Sequence, residues 1–88
     1  MTTLFDVAEA VLDSAAEEFR AINLASVEAL QAYAENGMDI ELSDDDAEKT
    51  LEVCRFWTDG EFHGSNDYFH HVETPLNEWE EAGKKRLA

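Results

Sequence analysis

Between Leu4 and Ile22 the apolar residues recur every three or four positions, at Leu4, Ala8, Val11, Leu12, Ala15, Phe19 and Ile22. That period belongs to an α-helix rather than a strand, and it sets the fold class more firmly than any other feature of the chain. Asp6, Glu9, Asp13, Glu17 and Arg20 fall largely elsewhere on the wheel, so the segment reads as an amphipathic helix of about five turns that must lay its stripe on another element. Thr3, with Asp6 three residues on, resembles a capping box with Asp in place of the usual Glu, and starts the helix near Leu4.

Later segments repeat the pattern with different punctuation. Residues Asn23 to Ser26 offer a break, with Ser26 capping a second helix whose inner face is Val27, Leu30 and Ala34; one continuous helix from Leu4 to Glu35 fits the pattern as well. Glu35-Asn36-Gly37 reads as the end of that helix, with Gly37 in the left-handed position. Met38-Asp39-Ile40-Glu41-Leu42 alternates apolar and acidic residues and suits a short extended segment. Ser43 before Asp44, Asp45 and Asp46 is a strong helix start, because a hydroxyl caps free N–H groups and first-turn carboxylates complement the helix dipole. The third helix runs from about Asp44 to Trp57, with Ala47, Leu51, Cys54 and Trp57 on one side and Asp45, Glu48 and Glu52 on the other.

Beyond it, Thr58-Asp59-Gly60 is a turn and Gly64-Ser65-Asn66 a second break. Asp67 to Val72 fits either a short helix or irregular chain. Thr74-Pro75 reads as an N-cap followed by proline at the first helical position, opening a last helix through Leu76 and Trp79 towards Leu87, with acids first and bases last. The expected architecture is a mainly α single domain over residues 1–88, a compact bundle of three to four helices with at most one short extended segment. With 44% apolar residues the chain is hydrophobic enough to fold despite its charge. No apolar run approaches the roughly 20 residues of a membrane span.

Twenty-one acidic residues face six basic ones, a formal net charge of -15. Such a surface excludes ordinary nucleic-acid and anionic-membrane binders, and a partner recognised through charge must be basic. Residues 1–26 carry net -4, residues 27–52 net -8 and residues 53–88 net -3. Seven acids lie within the fourteen residues from Asp39 to Glu52: Asp39, Glu41, Asp44, Asp45, Asp46, Glu48 and Glu52. Spread along a helix, they would place one charge per about 3 Å, close to the ~3.4 Å between phosphates of one DNA strand.

Signals for chemistry are weak by comparison. The lone Cys54 precludes an internal disulfide and suits a reducing, cytoplasmic setting, where it reads as a small buried hydrophobe. His63, His70 and His71, with Asp67, Glu73 and Cys54, supply every ligand type of a zinc or iron site, but adjacent histidines rarely point at one ion and no Cys-x-x-Cys or His-x-x-x-His pair is present. There is no phosphate loop, and the Asp44–Asp46 run lacks the glycine and terminal glutamate of a calcium loop. These features predict neither enzyme activity nor a metal or other cofactor. Six of the nine aromatics fall between Phe56 and Trp79, and of these Trp57, Phe62, Tyr68 and Phe69 are candidate secondary contacts beside the acidic run.

In size, charge, helicity and the run from Asp39 to Glu52, the chain resembles the small acidic inhibitors that phages and mobile elements make against host defences, the anti-CRISPR and anti-restriction proteins that mimic DNA. The resemblance implies a monomer or homodimer in the host cytoplasm whose partner is a basic nucleic-acid-binding protein or complex, a CRISPR effector or restriction nuclease, with the acidic run blocking its DNA site. Two other readings stand beside it. One is an acidic helical adaptor or homodimer that pairs through the apolar stripe or the aromatics, and the other is a small metal-dependent enzyme using the histidines.

Overall fold

The computed structural model describes residues 2–60 and 64–87. The first helix, α1, spans Leu4–Leu12. Its capping box is complete: the Asp6 amide donates to Thr3 Oγ1 at 3.1 Å and the Thr3 amide to Asp6 Oδ2 at 3.0 Å. A third contact closes this end from far along the chain, the Leu4 amide donating to Glu80 Oε1 at 2.8 Å.

The stripe that predicts one helix to Ile22 is interrupted after Leu12, and α2 occupies Glu17–Asn23. Ser14 is the cause. Its hydroxyl accepts from the Ala16 amide and its carbonyl accepts from the Arg20 guanidinium, an alternative to helical pairing that serine favours. Ile22, predicted inward, is 59% exposed, while Asn23 is buried with its side-chain amide donating to the Phe19 carbonyl at 2.9 Å.

Helix α3 spans Val27–Met38 and starts as expected, with Ser26 Oγ accepting from the Ala29 amide at 3.1 Å. It outruns the expected end: Gly37 is helical and the left-handed residue is Asp39, φ 55°. Aspartate tolerates that conformation better than most residues, and the Ile40 amide then folds back onto the Ala34 carbonyl at 3.1 Å. No strand forms at Met38–Leu42 or elsewhere among the described residues. The alternation is nonetheless used, since Leu42 is buried and Ile40 packs against the core while Asp39 and Glu41 stay exposed.

Helix α4, Asp44–Asp59, is the pillar of the bundle. Ser43 Oγ caps it by accepting from the Asp46 amide at 3.1 Å. Ala47, Thr50, Leu51, Val53 and Cys54 form its buried face, packed against α1 and α3 and against the elements that follow. Those are α5, Ser65–Tyr68, a π-helical turn at Phe69–Glu73, and α6, Thr74–Leu87. Thr74 is helical and continues the π turn rather than capping a new helix, its amide donating to Phe69 O five residues back. A proline ring inside a helix crowds the carbonyl four residues earlier, and the widened turn falls immediately before Pro75, where that crowding needs relief.

The mainly α, compact bundle expected from the sequence is the fold observed. Leu30, Leu76, Val7, Val11 and Val72 are fully enclosed at its centre. No helix among the described residues is long and apolar enough to cross a membrane.

Candidate interaction surface

The seven acids from Asp39 to Glu52 sort into two groups. Asp44 and Asp46 have structural duties. Asp44 Oδ1 accepts from Gln31 Nε2 at 2.9 Å, and the same amide donates to the Leu42 carbonyl, tying the loop before α4 to α3. Asp46 is half-buried and its Oδ1 accepts from the Trp79 indole at 2.8 Å, tying α4 to α6. Asp39, Glu41, Asp45, Glu48 and Glu52 are exposed, with no hydrogen bond to their carboxylates among the described residues. Asp45, Glu48 and Glu52 follow one another at spacings of three and four, so they stand along one face of α4. Glu48 and Glu52 also line an open groove of about 470 Å³ with Val27, Leu51 and Arg55.

Among the described residues, the cations of this part of the molecule are not ion-paired with those carboxylates, although Arg55 lines the groove beside Glu48 and Glu52. Arg55 donates to the Leu24 carbonyl at 2.9 and 3.2 Å and to the Ala25 carbonyl at 3.1 Å, satisfying the end of α2. Arg20 holds the Ser14 carbonyl. Lys49 Nζ lies 5.8 Å from the centre of the Trp79 ring, a cation–π contact. Each of these three side chains engages a carbonyl or a ring where a carboxylate was within sequence reach.

Of the predicted aromatic contacts, Trp57 and Tyr68 pack edge to face at 5.1 Å and are half-buried, and Tyr68 meets Phe5 at 5.8 Å. They belong to the seam between α4, α5 and α1. The Tyr68 hydroxyl oxygen is buried without a hydrogen-bond partner among the described residues. That burial, followed by the charges of Glu9 and Asp13, raises its phenol well above the ordinary tyrosine range. Phe69 is 50% exposed beside His70, and Phe62 lies outside the described residues. The half-exposed residue that the site prediction passed over is Phe56, 55% exposed one turn beyond Glu52; the four-residue spacing from Glu52 is the signal that places it on the acidic face.

Cys54 is fully buried, and burial pushes its thiol up to about 12, so it stays protonated and unreactive at neutral pH. His70 and His71 pack on Phe69 and Phe56, respectively, and His63 lies outside the described residues. Among the described residues, no three His, Cys, Asp or Glu side chains converge where a metal ion could sit.

No protein-family model matches the chain, and neither a curated protein nor a solved structure matches it.

Proposed function

We propose that this protein is an inhibitor that occupies the DNA-binding surface of a basic nucleic-acid-binding protein or complex, of the CRISPR-effector or restriction-nuclease type, with the exposed carboxylates of the loop at Asp39–Ser43 and of α4 standing in for phosphates. One observation carries the reading: Asp45, Glu48 and Glu52 line one face of α4, and Arg20, Lys49 and Arg55 engage carbonyls or a ring rather than these carboxylates. A folded domain gains stability by pairing such charges, so leaving them in a row suits a surface whose counter-charges come from another molecule. Electrostatic steering towards a groove built for DNA follows from the same arrangement. The protein needs no cofactor for this task.

The test is retention of partners from a host lysate at low and high salt, with duplex DNA as competitor and mass spectrometry of what is held. A DNA-binding complex held at low salt, released by salt and displaced by duplex DNA, is the expected outcome. A partner retained at high salt and indifferent to DNA would favour the adaptor reading, which the half-exposed Ile22, Phe56 and Phe69 would then explain.

A further inference from the structure

Between α2 and the end of α4 lies a second cleft, of about 280 Å³, which shares only Arg55 with the groove at Glu48 and Glu52. Helix α2 packs on α1 and α3, and the cleft opens on its side towards α4. Ala21 and Leu24 give it apolar walls, while Glu17, Arg20, Arg55 and Asp59 bring two carboxylates and two guanidiniums to its lining. With two charges of each sign its formal charge is zero, in a chain whose net charge is -15.

These four charges do not satisfy one another, since among the described residues neither arginine is ion-paired with Glu17 or Asp59. Each guanidinium is instead held by backbone at one edge. Arg20 Nη1 donates to the Ser14 carbonyl, and Arg55 donates from Nε and Nη2 to the carbonyls of Leu24 and Ala25. Arg20 Nε and Nη2 and Arg55 Nη1 keep donors without an acceptor among the described residues. A guanidinium already oriented by carbonyls loses little further freedom when its remaining N–H groups take a carboxylate. Thr58, also in the lining, spends its hydroxyl proton on the Cys54 carbonyl at 2.8 Å, so the side-chain donors left to the cleft are those of the arginines.

The acids of the lining ask for the opposite charge. Asp59 is the last residue of α4, whose last turn carries no base. A carboxylate at a helix C-terminus stands against the dipole, and a cation is favoured there. Glu17 is exposed and has no partner among the described residues. Phosphate would meet both carboxylates as well as the repulsion of the whole chain, and a simple amine would meet both guanidiniums. A molecule carrying one charge of each sign finds a partner for both. The volume stands at the lower end of the roughly 300–1,000 Å³ usual for ligand sites, which limits the ligand to a small one, and Ala21 and Leu24 suit an aliphatic group.

We propose that the cleft between α2 and α4 binds a free α-amino acid with an aliphatic side chain, its carboxylate taken by Arg20 and Arg55 and its ammonium by Asp59 and Glu17. The site is independent of the charge-led reading above and stands or falls without it.

The experiment is a titration of the full chain with L-leucine in physiological salt, followed by NMR of the backbone amides and of the arginine Nε–H groups. Leucinamide, which lacks the carboxylate, isocaproate, which lacks the ammonium, and inorganic phosphate are titrated alongside. Leucine is expected to shift the Nε–H resonances of Arg20 and Arg55 and to bind at least about tenfold more tightly than leucinamide or isocaproate, the loss expected when one charged partner is removed. The double variant Glu17→Gln with Asp59→Asn alters two exposed side chains and should keep the amide spectrum of the fold, weaken leucine about tenfold and leave isocaproate no weaker. Isocaproate or phosphate binding as tightly as leucine overturns the assignment in favour of a plain anion site. Leucinamide binding as tightly as leucine overturns it in favour of attraction by the net charge alone. Absence of shifts at the cleft with leucine at its solubility limit, or leucine binding unchanged in the double variant, overturns it outright.

Discussion

The two faces of α4 are made from the same sixteen residues and follow opposite rules. Inward, Ala47, Leu51, Val53 and Cys54 are small or branched, close-packed and neutral, and Thr50 hides its hydroxyl by donating to the Asp46 carbonyl at 2.8 Å. Outward, Asp45, Glu48 and Glu52 repel one another in a row that ends at a half-exposed ring. The inner face is what a helix needs in order to fold here. The outer face opposes folding slightly, and that opposition separates residues kept for structure from residues free to serve recognition.

The contrast breaks most sharply on the inner side. Leu51→Ala, at a site 6% exposed, is expected to lower unfolding free energy by about 2–4 kcal/mol through lost burial and a residual cavity, measured by urea denaturation. A change below about 0.5 kcal/mol would mean that α4 is not the pillar described. Tyr68→Phe tests the seam beside Trp57: removing a buried hydroxyl that has no partner among the described residues should raise stability by about 1 kcal/mol, and destabilisation would show that the hydroxyl is satisfied. The smallest change in stability belongs to the outer face. Asp45→Asn, Glu48→Gln and Glu52→Gln combined should leave helicity intact and change unfolding free energy by less than about 0.5 kcal/mol, relieved repulsion being offset by the loss of Asp45 from the first turn of α4, while abolishing salt-sensitive partner capture. Loss of folding in the triple variant would make those carboxylates structural and erase the distinction between the two faces.

What could be read from the sequence was what is local. The start of α4 is written in four adjacent residues, Ser43 to Asp46, and the capping box of α1 in Thr3 and Asp6, so both were legible. The break after Leu12 was not, because the apolar period continues unbroken through Ala15, Phe19 and Ile22 while the interrupting bonds run from Ser14 to Ala16 and Arg20. Pro75 misled for a related reason. Proline most often opens a helix, and here a π turn lets it sit within one. Within the acidic run, sequence showed the charges but not their division of labour, since Asp46 is committed by an indole 33 residues away and Asp44 by Gln31 in the preceding helix.

The bond between the Leu4 amide and Glu80 bears on the order in which the molecule is assembled during translation. Helix α1 is made before α6, yet its opening amide is satisfied by a carboxylate delivered 76 residues later, and α6 is also a wall against which α1 packs. While α6 is still inside the ribosome, the emerging α1 has its local capping box but neither its distant acceptor nor that wall. Contacts of such long separation make closure slow relative to helix formation, so α1 can meet α4 first, and the side of α1 that packs on α6 stays open until α6 has emerged. Because α4 also precedes α6, its acidic face meets solvent before that last wall of the core closes, and like charges on it oppose association of chains in that open state.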